Sequence, residues 1–415
     1  MPRRLASFSI VLATVSASSV LSATSSFAGV SSAEMCFGQV PTIVGSPGQS
    51  VEGTEGPDVV ITNGAYAGDT LGGDDLLCVT EVVEYGADYG FATGTGRDRI
   101  DATEAVGGYF SLGAGPDEFI GSDDGFDTVY ADDASPTDPD ADIVTTGDAS
   151  DTVHSSGADI VDLGAWQDEL WIDGDVSGGT YTGGAGSDNF TLDTVRTHDD
   201  PGSWTINSRT GRLLQDGQPR GQFRGFNTFS AAVVGSVTFI GSDAHQTFEP
   251  RFGWLARKAQ VDVHMGGGND RVYFRGGVPG GRFDGGSGAD QFWYYRNDSQ
   301  RLAPHVSVYF DLSTGLLRET WRDGMMARRA VRFENTAVYN GGGPVTLKGT
   351  SGPNRLKAMR SLPRYPVTLF GRGGADQLFG SVGNDLLLGG RGRDVAAGKS
   401  GNDRCDAEIR INCES

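Results

Sequence analysis

The chain reads as an all-β protein: a parallel β-roll or β-helix solenoid of nonapeptide repeats, interrupted by two glycine-poor β segments. Three observations carry that reading. Between Gly371 and Asp406 the pattern Gly-x-x-Gly-x-Asp-x-apolar-x recurs four times in register. Degraded copies run through most of the remaining chain. Glycine supplies 64 of the 415 residues, roughly double its ordinary share of ~7%, so tight turns recur along the whole length. A short fixed period means units that bury a common core only by stacking on one another.

The C-terminal block fixes the chemistry of the repeat. Its copies begin at Gly371, Gly380, Gly389 and Gly398, with a second glycine at Gly374, Gly383, Gly392 and Gly401. The sixth position is Asp376, Asp385, Asp394 and Asp403, and the eighth is Leu378, Leu387, Ala396 and Cys405. Glycines let the backbone turn sharply and aim carbonyl oxygens inward. A carboxylate then completes a set of hard oxygen ligands suited to Ca²⁺, and the Asp-x-apolar tail is a short strand with its apolar side chain inward. One coil takes two nonapeptides, so acids 18 positions apart stack on the same edge: Asp376 with Asp394, and Asp385 with Asp403.

The remaining elements follow in chain order. Residues 1–28 read as a signal peptide: Pro2-Arg3-Arg4 is basic, Leu5 to Leu21 is apolar and small, and Ser26-Phe27-Ala28 suits cleavage, with Ser31-Ser32-Ala33 as a second cut. A membrane anchor is the alternative, but this Ser/Thr-rich run is short and weakly apolar. Removing residues 1–28 deletes two arginines and takes the formal charge from −21 to −23. Residues 29–192 are a degenerate roll whose candidate ligands are Asp58, Asp75, Asp98, Asp117 and Asp188. Within it Asp142, Asp151, Asp159 and Asp168 keep the Asp-x-apolar strand while losing turn glycines, so coils are expected to continue there without a calcium at each. Residues 263–304 return to stronger copies at Asp270 and Asp290, which are 20 apart, one coil plus a two-residue insertion. The competing reading of these middle acids is solvated turn carboxylates.

Two glycine-poor segments, 193–262 and 305–362, separate these blocks from the C-terminal roll at 363–415. They resemble each other: Thr205 to Leu213 matches Val308 to Leu316 in outline, each with a Thr-Gly turn between apolar residues. A hairpin or a wider coil is expected in each. Each is followed by a degraded nonapeptide in which Gln246 or Asn354 replaces the aspartate.

Composition narrows the function. Acids outnumber bases 54 to 33, which excludes nucleic acid as a partner, since phosphate contacts need basic patches. Apolar residues, at 37%, are too few for the glycine-rich parts to offset ordering entropy unaided. Cations that neutralise the acids resolve this. Cys36, Cys78, Cys405 and Cys413 all lie beyond either cleavage point; an even count in an exported chain points to disulfides. Of three possible pairings, the local one (36–78 and 405–413) would fasten each end of the array, contributing roughly 4 and 2.5 kcal/mol on the loop-entropy model. No stretch after the signal approaches a membrane span.

On these residues the chain resembles the RTX, or hemolysin-type, calcium-binding repeat proteins. The match is specific over Gly371–Asp406. The opening around Cys36, Gly73-Asp74-Asp75 and Cys78, and the close from Gly401-Asn402-Asp403 to Cys413-Glu414, resemble secreted actinobacterial members. The resemblance implies a β-roll with Ca²⁺ between successive turns, bound by the sixth-position aspartates and glycine-region carbonyls, and folding after export. It also implies that sites lacking the aspartate, at Ser50, Gln246 and Asn354, take no ion.

The chain has no His-Glu-x-x-His and no Gly-x-Ser-x-Gly, and none of its five histidines falls at ligand spacing. The expectation is therefore a calcium-dependent structural or binding protein outside the cell, with an extracellular polysaccharide or protein as the partner class. The alternative is a polysaccharide-active enzyme in the atypical coils, with Trp204, Trp254, Trp293, Tyr294, Tyr295 and Trp321 as sugar platforms.

Overall fold

An Asp-x-apolar tail has room for only about three extended residues before the next glycine turn, and strands this short persist only by pairing on both sides. In the computed structural model they do so. It describes residues 35–80, 90–132, 140–176, 178–194, 202–251, 260–275, 281–296, 306–340, 342–359 and 364–414. The signal segment, His198, Trp254 and His305 lie outside those residues. Among the described residues there are forty strands and no helix, and no helix long and apolar enough to cross a membrane.

Strands pair in parallel from coil to coil in two long sheets, one of 21 strands and one of 17. The chain alternates between them. Gln377–Phe379 lies in the second sheet, Leu386–Arg391 in the first, Val395–Ala397 in the second again and Arg404–Asp406 in the first. Register places like positions over one another: Leu378 on Ala396, and Leu387 on Cys405. Two nonapeptides therefore make one coil, as the 18-residue spacing requires.

The apolar eighth positions of both sheets meet inside. Val60, Leu77, Ile100 and Phe119 are buried one above another in the first sheet. Through the middle coils the interior is filled by phenylalanine. Phe190 touches Phe223, Phe226 and Phe229, and Phe292 touches Phe283, Phe310 and Phe333, at centroid distances of 4.8–6.2 Å.

Each glycine-poor segment contains a three-stranded antiparallel excursion within the first sheet, followed by strands that pair in parallel like the rest. Ser203–Asn207 pairs antiparallel with Arg212–Gln215, and that strand with Gln218–Arg224. The outer two strands rejoin the parallel stack, on Ser236–Ile240 and Gly179–Thr182 respectively. Ser307–Asp311, Leu316–Trp321 and Gly324–Val331 repeat the arrangement. The Thr-Gly turns are hairpin turns, with Gly211 and Gly315 at φ +63° and +69°. Sequence periodicity gave a hairpin or a wider coil; the structure has a hairpin with a third strand that returns the chain to its own level.

The disulfides join Cys36 to Cys78 and Cys405 to Cys413. Of the three pairings this is the local one, and it fastens the first and last coils. Cys36, Val59, Ile61 and Cys78 form a small apolar cluster of their own at the N-terminal end.

Candidate metal centre

The aspartates of the repeat line the two edges of the solenoid as ladders. On the edge leading into the first sheet, the Asp58 N–H donates to Asp75 Oδ1 (2.8 Å), Asp75 to Asp98 (2.8 Å), Asp98 to Asp117 (2.7 Å) and Asp117 to Asp142 (2.8 Å). Asp142 donates on to Asp159 at 3.0 Å. The C-terminal part of this edge runs from Val367 to Asp385 (3.0 Å), Asp403 (2.8 Å) and finally Glu414 (2.5 Å). On the opposite edge Asp127, Asp151, Asp168 and Asp188 form one ladder at 2.8–3.1 Å. A second links Gln246, Asp270, Asp290 and Glu334, each step 2.8 Å. A third links Asn354, Asp376, Asp394 and Glu408 at 2.7–2.8 Å. One carboxylate oxygen of each step thus stitches a coil to its neighbour.

The other oxygen is the informative one. Oδ2 of Asp168, Asp188, Asp270, Asp290, Asp376, Asp394 and Asp403 is buried and has no hydrogen-bond partner. A buried carboxylate oxygen left unpaired is costly unless a cation or donor meets it. Each such oxygen in the C-terminal block lies over the first glycine of its own repeat: a β-carbon on Gly371, Gly389 or Gly398 would stand 2.3 Å from Oδ2 of Asp376, Asp394 or Asp403. The fourth-position glycines bring carbonyls in along the stack. A β-carbon on Gly392 would lie 1.8 Å from the Gly374 oxygen, and Gly392 itself sits at φ +140°. Carboxylate and carbonyl oxygens converging on a turn that excludes side chains fit a hard divalent cation with flexible oxygen coordination, which is Ca²⁺ chemistry.

Electrostatics agree. Burial, aided by neighbouring aspartates, pushes carboxyl pKa values up: Asp98, Asp290 and Asp376 to about 6, and Asp168 and Asp270 to about 7. Asp75, Asp188, Asp385 and Asp403 are raised by the same burial. Like charges stacked on a buried edge raise one another in this way.

The predicted ligands are not equivalent. Asp58 is saturated by neutral donors: Thr54 N–H at 2.7 Å and Oγ1 at 3.0 Å reach Oδ2, and Thr42 Oγ1 reaches Oδ1 at 3.1 Å. Asp385 accepts from Ser381 N–H (2.7 Å) on one oxygen and from Val367 N–H on the other. Positive charge from Lys399 also acts on it. Asp376 and Asp394, by contrast, share a ladder step and each keep a free Oδ2.

Sequence reasoning passed over several members. Asp151 and Asp168, placed by the sequence in continuing coils but not among the ligands, occupy with Asp127 the same ladder as Asp188; one turn glycine is retained four residues before Asp151, Asp168 and Asp188. Gly147, Gly164 and Gly184 stack at φ +77° to +91°, and a β-carbon on Gly164 would meet the Gly147 oxygen at 1.9 Å. That single glycine at a fixed offset was the available signal. Glu334, Glu408 and Glu414 end ladders where no aspartate stands. Asp132, Asp142 and Asp159 can each offer an oxygen within 4.8 Å of the others.

At Gln246 and Asn354 the side-chain amide replaces the carboxylate and satisfies itself. Gln246 Oε1 accepts Ser242 N–H at 2.8 Å while Nε2 donates to Ser208 Oγ at 2.5 Å. Asn354 Oδ1 accepts Thr350 N–H and its Nδ2 donates to the Glu334 carbonyl, both at 2.6 Å. These are neutral plugs. Beside the second plug, Arg372 reaches back to Asp311 (Nη2–Oδ2 2.8 Å) and to the Gly349 carbonyl (2.8 Å). Burial alone would raise the Asp311 pKa, but the Arg372 bonds outweigh it and hold it below the usual carboxylate range.

Comparison with known families places the strongest repeats. Residues 368–405 match the model of the RTX calcium-binding nonapeptide repeat, in four copies. No curated protein sequence matches the chain.

Proposed function

We propose that this is a secreted calcium-dependent β-solenoid that folds when Ca²⁺ fills its glycine turns outside the cell, and that its role there is structural or binding. The observation that carries the reading is the row of buried, unpartnered Oδ2 atoms over the first glycines of the C-terminal repeats, on Asp376, Asp394 and Asp403. In the bound state Asp376 and Asp394 would hold the ion together with carbonyls of the turns at 371–374 and 389–392. Asp403, Asp290, Asp270 and Asp188 have the same free oxygen for equivalent positions. Asp98, Asp75 and Asp117 belong to the first-edge ladder, whereas Asp58 and Asp385 serve the stack rather than the ion. Calcium there supplies charge neutralisation, which the unaided fold lacks. The N-terminal basic-apolar segment and the two disulfides support export.

The polysaccharide-enzyme reading asks for coplanar exposed aromatics beside paired carboxylates. Trp204 and Tyr294 are buried in the core, and Tyr295 stacks on Tyr339 at 4.5 Å on the outer surface. A polar groove on the second sheet, lined among others by Arg271, Gln291, Asn335 and Arg355, carries among the described residues one carboxylate, that of Asp270, whose Oδ1 belongs to the ladder.

The test is calcium titration of the signal-less chain, followed by circular dichroism and hydrodynamic radius. Gain of β structure and compaction are expected. Identical spectra and radius in EDTA and in Ca²⁺ would refute the reading.

A further inference from the structure

The charge of this chain is segregated along its axis. Residues 29–202 hold 35 acids and 3 bases, a local charge of −32, whereas residues 203–372 hold 23 bases and 12 acids, a local charge of +11. An acidic protein thus carries a basic middle. On the outer face of that region, at the edge where the second sheet meets its turns, runs a groove of about 490 Å³. Its floor is a row of side chains set one coil apart by the parallel register: Thr247, Arg271, Gln291, Asn335 and Arg355. Coils repeat at ~4.8 Å, so the two exposed arginines stand roughly 14 Å apart along the axis.

The chemistry of that row is specific. Among the described residues neither Arg271 nor Arg355 is in an ion pair. Arg271 is held by neutral partners, Gln291 Oε1 at 3.3 Å and the faces of Tyr273 and Trp293, both 5.9 Å away. Arg355 lies over the Phe379 ring at 5.1 Å. Guanidinium groups fixed by rings and amides keep donors for a carboxylate. Between them Gln291 and Asn335, with Thr247 at the end of the row and Asn227 beside it, offer donors and acceptors to hydroxyl groups.

We propose that this groove binds a linear acidic polysaccharide, a polyuronate, with Arg271 and Arg355 holding carboxylates of separate sugar residues and the amides between them holding hydroxyls. A periodic polymer suits a periodic floor, and the basic charge of residues 203–372 steers it past the acidic N-terminal half. The inference deepens the extracellular binding role proposed above and needs calcium only insofar as the groove must be folded.

The experiment uses the signal-less chain in about 1 mM Ca²⁺, with its fold checked by circular dichroism. The probe is a short oligogalacturonate, too short to gel with calcium. Binding should weaken as salt rises, a neutral malto-oligosaccharide should not compete, and R271E/R355E should lose affinity by about tenfold or more, as expected for two lost charge-assisted contacts. The charge-matched R212E/R329E, on the opposite sheet, should bind as the parent does. A folded protein that ignores oligogalacturonate, or binds the neutral sugar or single-stranded DNA as well, overturns the inference and leaves the calcium reading standing. So does loss of binding in both double variants alike. Concentration-dependent dimers abolished by R271E/R355E alone, without any effect of sugar, would assign the groove to the acidic half of a second copy instead. A spectrum unchanged between EDTA and Ca²⁺ would overturn the calcium reading and not this one.

Discussion

Gly392 shows how much one residue decides. Its backbone sits at φ +140° and its α-carbon faces the Gly374 carbonyl so closely that a methyl group would lie 1.8 Å from the oxygen. Gly392→Ala should therefore destabilise the calcium-loaded protein by more than ~1 kcal/mol and lower calcium stoichiometry; an unchanged melt and stoichiometry would show that the turn is slack. Asp394→Asn and Asp376→Asn should each remove one ion, and the double variant should cost little more than either single, because the first change already disables the shared site. Isothermal titration decides this, and strict additivity would place the two on separate ions. Acidity gives a third test. Carboxyl pKa values of about 6 to 7 at Asp98, Asp168, Asp270, Asp290 and Asp376 lie above the unfolded value of 3.8. The metal-free fold thus binds more protons than the unfolded chain, and its stability falls as pH rises from about 4 through about 7. In EDTA the urea midpoint should drop from pH 5 to pH 8. In Ca²⁺ the order should reverse, since protons compete with the ion for the same oxygens. The same trend in both media would dissociate these carboxyls from metal binding.

The antiparallel excursions are the elements that sequence periodicity resolved least. Alternating apolar residues around Gly211 and Gly315 were visible, yet nothing in the pattern said that a third strand would return the chain to the level it left. Their interiors are also unlike the rest. In the second excursion Glu319 and Arg328 are both fully buried and joined to each other, Arg296 reaches Glu319 at 2.8 Å, and Arg328 lies 4.9 Å from the Phe274 ring centroid. Breaking one member of a buried ionic cluster leaves the others uncompensated, typically costing about 3–5 kcal/mol. Glu319→Gln should cost an amount of that order in a chemical melt run in Ca²⁺. A loss under about 1 kcal/mol would mean that water reaches the cluster. The neutral plugs at Gln246 and Asn354 were legible as missing aspartates; that their amides would bond Ser208 and Glu334 was not, because those partners are 38 and 20 residues away.

At the scale of the molecule, stability is a sum over stacked coils and the interfaces between them. On the proposed function, with a Kd near ~10⁻⁴ M, as extracellular calcium modules have, ~1 mM Ca²⁺ would stabilise by roughly 1.4 kcal/mol per site. Several sites would then supply a total comparable with the whole stability of a domain. Mg²⁺ should substitute poorly, because it demands a tighter octahedral shell and dehydrates reluctantly. Equal compaction by both ions at equal concentration would point to charge screening alone. The disulfides fasten the two ends, Cys36–Cys78 in the first coils and Cys405–Cys413 in the last, where a coil has only one neighbour to hold it.

The nonapeptide register by itself determined the solenoid, the two-repeat coil and the pairing of acids 18 apart, because a repeat that must place glycine, aspartate and one apolar residue at fixed steps has few ways to close. It paired Asp376 with Asp394 and Asp385 with Asp403 alike. Tertiary structure decided which acids retain a free oxygen. Asp58 and Asp385 look like the others in sequence, but threonine and serine donors from the same turn, and main-chain or threonine donors from the neighbouring coil, use both of their oxygens. It decided, too, that Glu334, Glu408 and Glu414 would end the ladders, and that Arg271 and Arg355, 84 positions apart in sequence, would stand in one row. Ladder membership is a relation between coils, and outside the strict 18-residue register the chain separation between coils varies with every insertion, so spacing alone does not say which acids meet.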